Sequence, residues 1–446
     1  MSRPGPALAA TTAAVLAGCY APPPFQCDPA TGACTPVDAA QAPPDADGKD
    51  GGGGGGCGGM SLVADEFGGA TPGPVWGWVF NDQGTTLDVA GGELVLTPSQ
   101  TGPRYAGVMT ERHYDLRGDA VAMDIPQVVA DAPGTEVLLR AMRGNWSDGS
   151  ITMAYAEGRL RFIRVENGDD VLNMDVAYDP VAHRHWRLRE DGGVVHFETS
   201  PDGQAWTSRA TTAAPTWAAF AAVEISAGRW DNDTASVPVG AARIASVNGG
   251  TPRGSYCKAS SLTDDFAIDG PAGLPWLRSF DDGTCAVRQA GGRAVIDAPA
   301  GSRRCALVSS AAYDLDRSAV SVQAVAVPAP AAAAAYLAAF EDDDSYVELV
   351  VQAGACLVNR NDDLVQTQLP CTTAYPAGTL YWRIASPAAG VVEYDVSPDG
   401  ENWTQVLRDA ESTVDLSAVD IELGFRAPPA GTDSGLRFDN YNLLPP

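Results

Sequence analysis

The sequence predicts an all-β chain carrying two copies of one domain, and three observations support this. Short runs alternate apolar and polar residues, with Gly, Asn and Asp clusters between them. One hairpin signature occurs twice, as Ser200-Pro201-Asp202-Gly203-Gln204-Ala205-Trp206 and Ser397-Pro398-Asp399-Gly400-Glu401-Asn402-Trp403. Other matched residues keep an offset near 200 along the chain. A period of that size means whole domains, because solenoid units repeat at roughly 20–50 residues.

The hairpin is written in its residues. Ser opens a type I turn, Pro presets φ, Asp tolerates the third position and Gly supplies the positive φ. Before the turn, Val195, Phe197 and Thr199 oppose His196 and Glu198; in the second copy Val392, Tyr394 and Val396 oppose Glu393 and Asp395. That alternation gives one buried face per hairpin.

The N-terminal part reads differently. Residues 1–18 hold an early Arg3 and a short apolar run, Ala7 to Leu16, too brief to span a bilayer. The run ends in Leu16-Ala17-Gly18-Cys19, which resembles a bacterial lipoprotein signal. The resemblance implies a signal peptide over 1–18, cleavage before Cys19 and acylation of Cys19. It also implies a membrane-anchored protein of the bacterial cell envelope, at the outer membrane or cell surface. Residues 19–60, with Pro22-Pro23-Pro24, Pro43-Pro44 and Gly51 to Gly56, read as a disordered tether that cannot pack a core.

The copies then follow as residues 61–249 and 256–446, each roughly 190 residues and long enough for its own core. Ser61-Leu62 matches Ser261-Leu262, Trp76 matches Trp276, and Gly91-Gly92 matches Gly291-Gly292. Tyr114-Asp115-Leu116 matches Tyr313-Asp314-Leu315, and Trp186-Arg187-Leu188 matches Trp382-Arg383-Ile384. Trp186 and Leu188 belong to a buried face, with Arg187 and Arg383 pointing outward. The Ala-rich stretch before Phe340 is helical by propensity, but its counterpart, Val137 to Met142, is a clear strand, so Tyr336 to Phe340 is expected to be a strand.

Eight cysteines besides Cys19 favour disulfides in an exported chain: Cys27, Cys34, Cys57, Cys257, Cys285, Cys305, Cys356 and Cys371. Cys285–Cys305 and Cys356–Cys371 each bracket a turn. Cys57 and Cys257 stand at equivalent places and are expected to clamp the two domain entrances together.

An opening Leu-x-x-x-Phe, a mid-domain Trp-Arg-Leu strand, the Ser-Pro-Asp-Gly-x-x-Trp hairpin and a closing strand are similar to the concanavalin A-like lectin/glucanase superfamily, in its laminin-G-like bacterial branch. The resemblance implies a jelly roll in each copy, two curved antiparallel sheets packed face to face. It also implies that the domains bind glycans or cut them.

Catalytic signatures are missing from the sequence. The glucanase branch carries E-x-D-x-x-E on one strand, which this chain lacks. Glu224 and Glu422 are matched single acids, and a two-carboxylate mechanism needs a partner for each. His183-x-His185 would put two imidazoles on the solvent face of one strand, where an exposed polar edge is the simpler reading than a zinc site. No H-E-x-x-H, G-x-S-x-G or P-loop occurs. The expectation is therefore a protein that is not an enzyme and binds carbohydrate or another surface partner; the alternatives are a structural or adhesive envelope role without a small ligand and, ranked below it, a glycan-active hydrolase with an unrecognised site.

The formal net charge of −27 disfavours nucleic acid. It is compatible with calcium at acidic turns, the only cofactor expected, with Asp231, Asp233, Asp362 and Asp363 as its weak candidates. For a glycan, Trp146 and Trp230, with Asp231 and Asn232, offer a flat apolar face beside hydrogen-bonding groups in loop-like segments.

Overall fold

In a computed structural model, described over residues 25–27, 34–36, 57–144, 146–231, 236–271, 275–276, 278–281, 286–298, 304–326, 334–352, 354–371, 380–426 and 434–443, the chain is almost entirely antiparallel sheet. Strands Phe25–Cys27 and Cys34–Pro36 pair with Cys27 opposite Cys34. Cys19, Cys285, Asn232 and Asp233 lie outside the described residues.

Each copy builds two facing layers of sheet. In the first, a seven-stranded sheet runs in the order Asp169–Ala177, Arg159–Glu166, Gly149–Ala156, Thr135–Met142, Ala222–Arg229, Arg104–Met109 and Trp78–Asn81. Facing it are a five-stranded sheet centred on His185–Asp191 and a three-stranded sheet around Leu94–Thr97. The second copy repeats the seven-stranded sheet, with Ala334–Phe340 at its centre, but its opposing sheet is one piece of eight strands. The difference lies at the closing strand. Ser434–Asp439 is continuous, while its counterpart is split at Ala245 into Ala242–Ile244 and Ser246–Val247.

The alternation read in the sequence becomes burial. Trp186, Leu188, Val195 and Phe197 are fully buried in one core, and Trp382, Ile384, Val392 and Tyr394 in another. The Ala-rich stretch is strand Ala334–Phe340, paired along its length on both sides. Sheet pairing overrides its helix propensity.

The turn chemistry repeats in detail. Ser200 Oγ accepts the Gly203 N–H at 2.9 Å, and Asp202 Oδ1 accepts those of Gln204 and Ala205. Ser397 and Asp399 do the same for Gly400, Glu401 and Asn402. These N–H donors hold the Asp202 and Asp399 carboxyls below the usual range. Gly203 and Gly400 take φ of 72° and 78°.

Another repeated clamp opens each copy. The carboxylate of Asp65 accepts the Phe67 N–H and the Trp76 indole N–H, and Asp264 accepts those of Phe266 and Trp276. Burial pushes the Asp264 carboxyl up to about 6, against these donors, which act to lower it.

Residues 52–446 form one compact unit. Cys57 is bonded to Cys257, and the Gly58 N–H reaches the Ser255 carbonyl at 2.8 Å. Arg112 crosses between the copies, 3.1 Å from Asp420 and donating to the Glu341 carbonyl at 2.9 Å. Cys356 is bonded to Cys371, and Cys305 is disulfide-bonded. Disulfides of this kind fit an oxidising, exported setting. No helix among the described residues is long and apolar enough to cross a membrane.

Candidate functional site

The hairpin that announced the fold also walls a concavity of about 330 Å³ on the first sandwich. Strand His185–Asp191 pairs with Ala120–Asp124, which places His185 directly opposite Asp124. The following strand, Val194–Ser200, ends in the turn that brings Gly203 and Trp206 to the same hollow. Asp119 and Arg253 complete the rim.

Its chemistry is mixed. The Arg187 guanidinium lies 4.1 Å from the Trp206 ring centroid and donates to Glu198 at 2.6 Å. A cation over an indole contributes roughly 0.5–1 kcal/mol where exposed. Asp119 accepts the Ser61 N–H and hydroxyl, and Asp124 is forked by Arg184. His185 Nδ1 lies 3.9 Å from Asp124, and burial pulls its imidazole below the ordinary value, which Asp124 partly offsets. Arg253 is exposed at the mouth, and its guanidinium has no ion-pair partner among the described residues. At neutral pH the hollow thus offers an aromatic ring, carboxylate acceptors, a neutral imidazole and a cation.

Several sequence expectations find their places. Trp146 is 57% exposed, in the turn after Thr135–Met142. Trp230 is 37% exposed and follows Arg229, which pairs with Thr135. The two therefore sit at opposite ends of one strand, separated by roughly 24 Å at the usual rise per residue. Arg161 stands 5.5 Å from the Trp230 ring. Asp231 is the counter-ion of Arg229, which is completely buried, at 2.7 Å.

Asp362 lies 2.7 Å from Arg360 Nε, off the hydrogen-bonding line, while Asp363 and Leu364 take positive φ in the next turn. Among the described residues, no group of three or more His, Cys, Asp or Glu is placed to hold a metal.

The two histidines do not share a solvent face. His183 precedes the strand and is 4% exposed, packed on Tyr178, with its Nδ1 accepting the Asp179 N–H. Only His185 reaches the hollow. The i, i+2 spacing misled because the strand begins at His185.

Glu422 is not a lone acid either. On the outward face of the second seven-stranded sheet, Ala338 is opposite Glu422 on one side and Glu348 on the other. Two strand spacings separate their Cα atoms by roughly 9–10 Å. Glu422 accepts from Arg304 at 2.9 Å and from the Tyr336 hydroxyl. Glu348 accepts from Arg426 and Asn359, each at 2.6 Å, and leaves Oε2 buried without a hydrogen bond. Burial, with Glu422 beside it, pushes the Tyr336 hydroxyl well above its ordinary pKa. Comparing the repeats could not reveal Glu348. The place facing Glu224 across the first sheet holds Arg140 and then Thr152.

No family model matches the chain, and no curated protein matches it. Among solved structures, it is similar to a glycoside hydrolase family 16 protein of Mycobacterium smegmatis, at 14% identity over 42% of this chain and 98% of that one, with a TM-score of 0.33. A beta-1,3-glucanase of Mycobacterium marinum aligns at 15% identity over 42% and 97%, TM-score 0.31. A glycoside hydrolase family 43 protein of Bacillus licheniformis aligns at 11% over 81% and 84%, TM-score 0.34. The expectation that this chain is not an enzyme is corrected here, since the proteins it is similar to are named as glycoside hydrolases and a glucanase.

Proposed function

We propose that the first sandwich binds carbohydrate in the hollow formed by Trp206, His185 and Arg253, and that a lipid on Cys19 displays the protein at the bacterial cell envelope. The hollow carries this reading. It has an indole stacked by a guanidinium beside carboxylate acceptors and cationic donors, in a volume typical of small-ligand sites, about 300–1,000 Å³. Sugars use an apolar ring face and a ring of hydroxyls, and both find partners here.

A glycan panel with the whole protein in detergent, with and without calcium, tests the site. Trp206→Ala is expected to weaken binding about tenfold or more, the loss of one aromatic platform. Binding that survives Trp206→Ala but is lost in Trp146→Ala would move the site to the exposed loop tryptophan. Mass spectrometry of the mature N-terminus tests the anchor, with an acylated Cys19 expected.

A second reading is glycan hydrolysis by Glu348 and Glu422, favoured by their placement across Ala338. A pair of facing carboxyl groups is what acid–base glycoside hydrolysis requires. Release of reducing ends from a polysaccharide panel, abolished by Glu422→Gln and by Glu348→Gln, would establish it.

A further inference from the structure

Among the described residues, a row of three arginines lies on the second sandwich, away from both sites above. Strand Ala286–Gln289 pairs with Ala294–Ala298, which pairs with Ser434–Asp439. The registers put Arg288 opposite Val295, and Val295 opposite Arg437. Arg293 closes the row from the Gly291-Gly292 turn, and the three arginines line a hollow of about 370 Å³. Val295, 4% exposed, is its apolar floor.

The first sandwich holds the same row in the same register. Asp88 is opposite Val95, and Val95 is opposite Arg243. Glu93 occupies the place of Arg293 and pairs with Arg243 at 2.9 Å. Two acids and one base have become three bases, in a chain whose net charge is −27.

The acids around the second hollow do not neutralise it evenly. Asp297 holds Arg288 at 2.6 Å, Asp439 stays 3.9 Å from Arg293, and Asp269 accepts the Gly291 N–H. Arg437 is exposed and has no carboxylate partner among the described residues. Like charges converge in a hollow at a cost unless an anion joins them.

The geometry points to a binding site for an acidic polysaccharide, whose carboxylate or sulfate groups the Arg293 and Arg437 forks would grip in bidentate fashion. Among the described lining residues there is no aromatic side chain to stack a base, so a sugar acid fits better than a nucleic acid. This site is independent of the Trp206 hollow.

The first sandwich supplies the test substitutions. Arg288→Asp with Arg293→Glu installs the residues that the same fold already carries at Asp88 and Glu93. The whole protein is titrated with polygalacturonate, dextran sulfate, neutral dextran and single-stranded DNA at low salt. The native chain is expected to bind a polyanionic sugar and not neutral dextran at this site, with affinity falling as salt rises. The double variant is expected to lose about tenfold or more in that affinity. It should keep its folded circular dichroism and any neutral-glycan binding that Trp206 supports. Arg437→Gln, a single neutralisation, should give a smaller loss in the same direction. Equal polyanion binding by native and double-variant protein overturns the proposal, as does a native protein that binds neither polygalacturonate nor dextran sulfate. Tighter binding of DNA than of either polysaccharide overturns the ligand class.

Discussion

The two sandwiches agree where the fold is made and differ where a ligand would touch. Trp186 and Trp382 fill equivalent core positions, and Asn248 and Asn442 each donate twice to carbonyls of the chain entering their domain and accept one strand N–H, from Ala122 and Ser321 respectively. Outward rows diverge. His185 faces Asp124 in one copy, while Tyr381 faces Gln323 in the other. Glu348 answers Thr152, and Arg288 and Arg293 answer Asp88 and Glu93. The two copies share the core between their sheets and differ on the outer faces of those sheets, where the pairing of the strands does not depend on the side chain.

The largest effect should come from the shared core. Trp186→Ala and Trp382→Ala remove fully buried indoles, and each is expected to destabilise its own sandwich by about 3–5 kcal/mol. Chemical denaturation followed by tryptophan fluorescence should then show one early and one native-like transition. A single shared transition in both variants would mean that the copies unfold together, through Cys57–Cys257 and Arg112.

A smaller effect tests the second opening clamp. An unfolded Asp titrates near 3.9, and Asp264 in the fold near about 6. The native state therefore holds this proton to higher pH, so its contribution to stability falls as pH rises from about 4 to about 6 and is level above. Asp264→Asn keeps an acceptor for the Trp276 indole and removes that fall. The two stability curves should diverge by at most about 3 kcal/mol across this window. Parallel curves would show that burial does not set this titration.

The smallest effect concerns the repeated Arg–Trp stacks, 4.1 Å at Arg187–Trp206 and 4.4 Å at Arg383–Trp403. Arg383→Lys keeps a cation for the buried Asp395 and gives up the planar stack, so it should cost roughly 1 kcal/mol or less in stability and leave glycan binding by the first copy unchanged. Arg187→Lys, which likewise keeps a cation for the buried Glu198, should cost as much and also weaken binding, because its Trp206 lines the hollow. Equal binding losses in the two variants would place the ligand elsewhere.

Much of the fold was legible in local residue order. The Ser-Pro-Asp-Gly turns, the alternation around Trp186 and Trp382, and the strand ending at Phe340 all followed from neighbours in sequence or from the repeat. The candidate sites were far less legible. Trp206 was named for its hairpin, but Arg253, Asp119 and Asp124 carried no signal of their own. The His183-x-His185 pattern pointed to one face only under the assumption that the strand starts earlier than it does. Glu348 had no counterpart to mark it, and the arginine row looked like scattered surface charge.

By itself, the sequence determined that this chain forms short paired strands, twice over, with a given face of each turned inward. Those outcomes depend on period-two alternation and on turn residues a few positions apart, so local composition suffices. Tertiary structure alone decided which outward side chains stand in one row: His185 with Asp124, Glu348 with Glu422 across Ala338, and Arg288 with Arg437 across Val295. Such rows depend on strand register between segments distant in the chain, and a shift of one residue would turn every member to the other face.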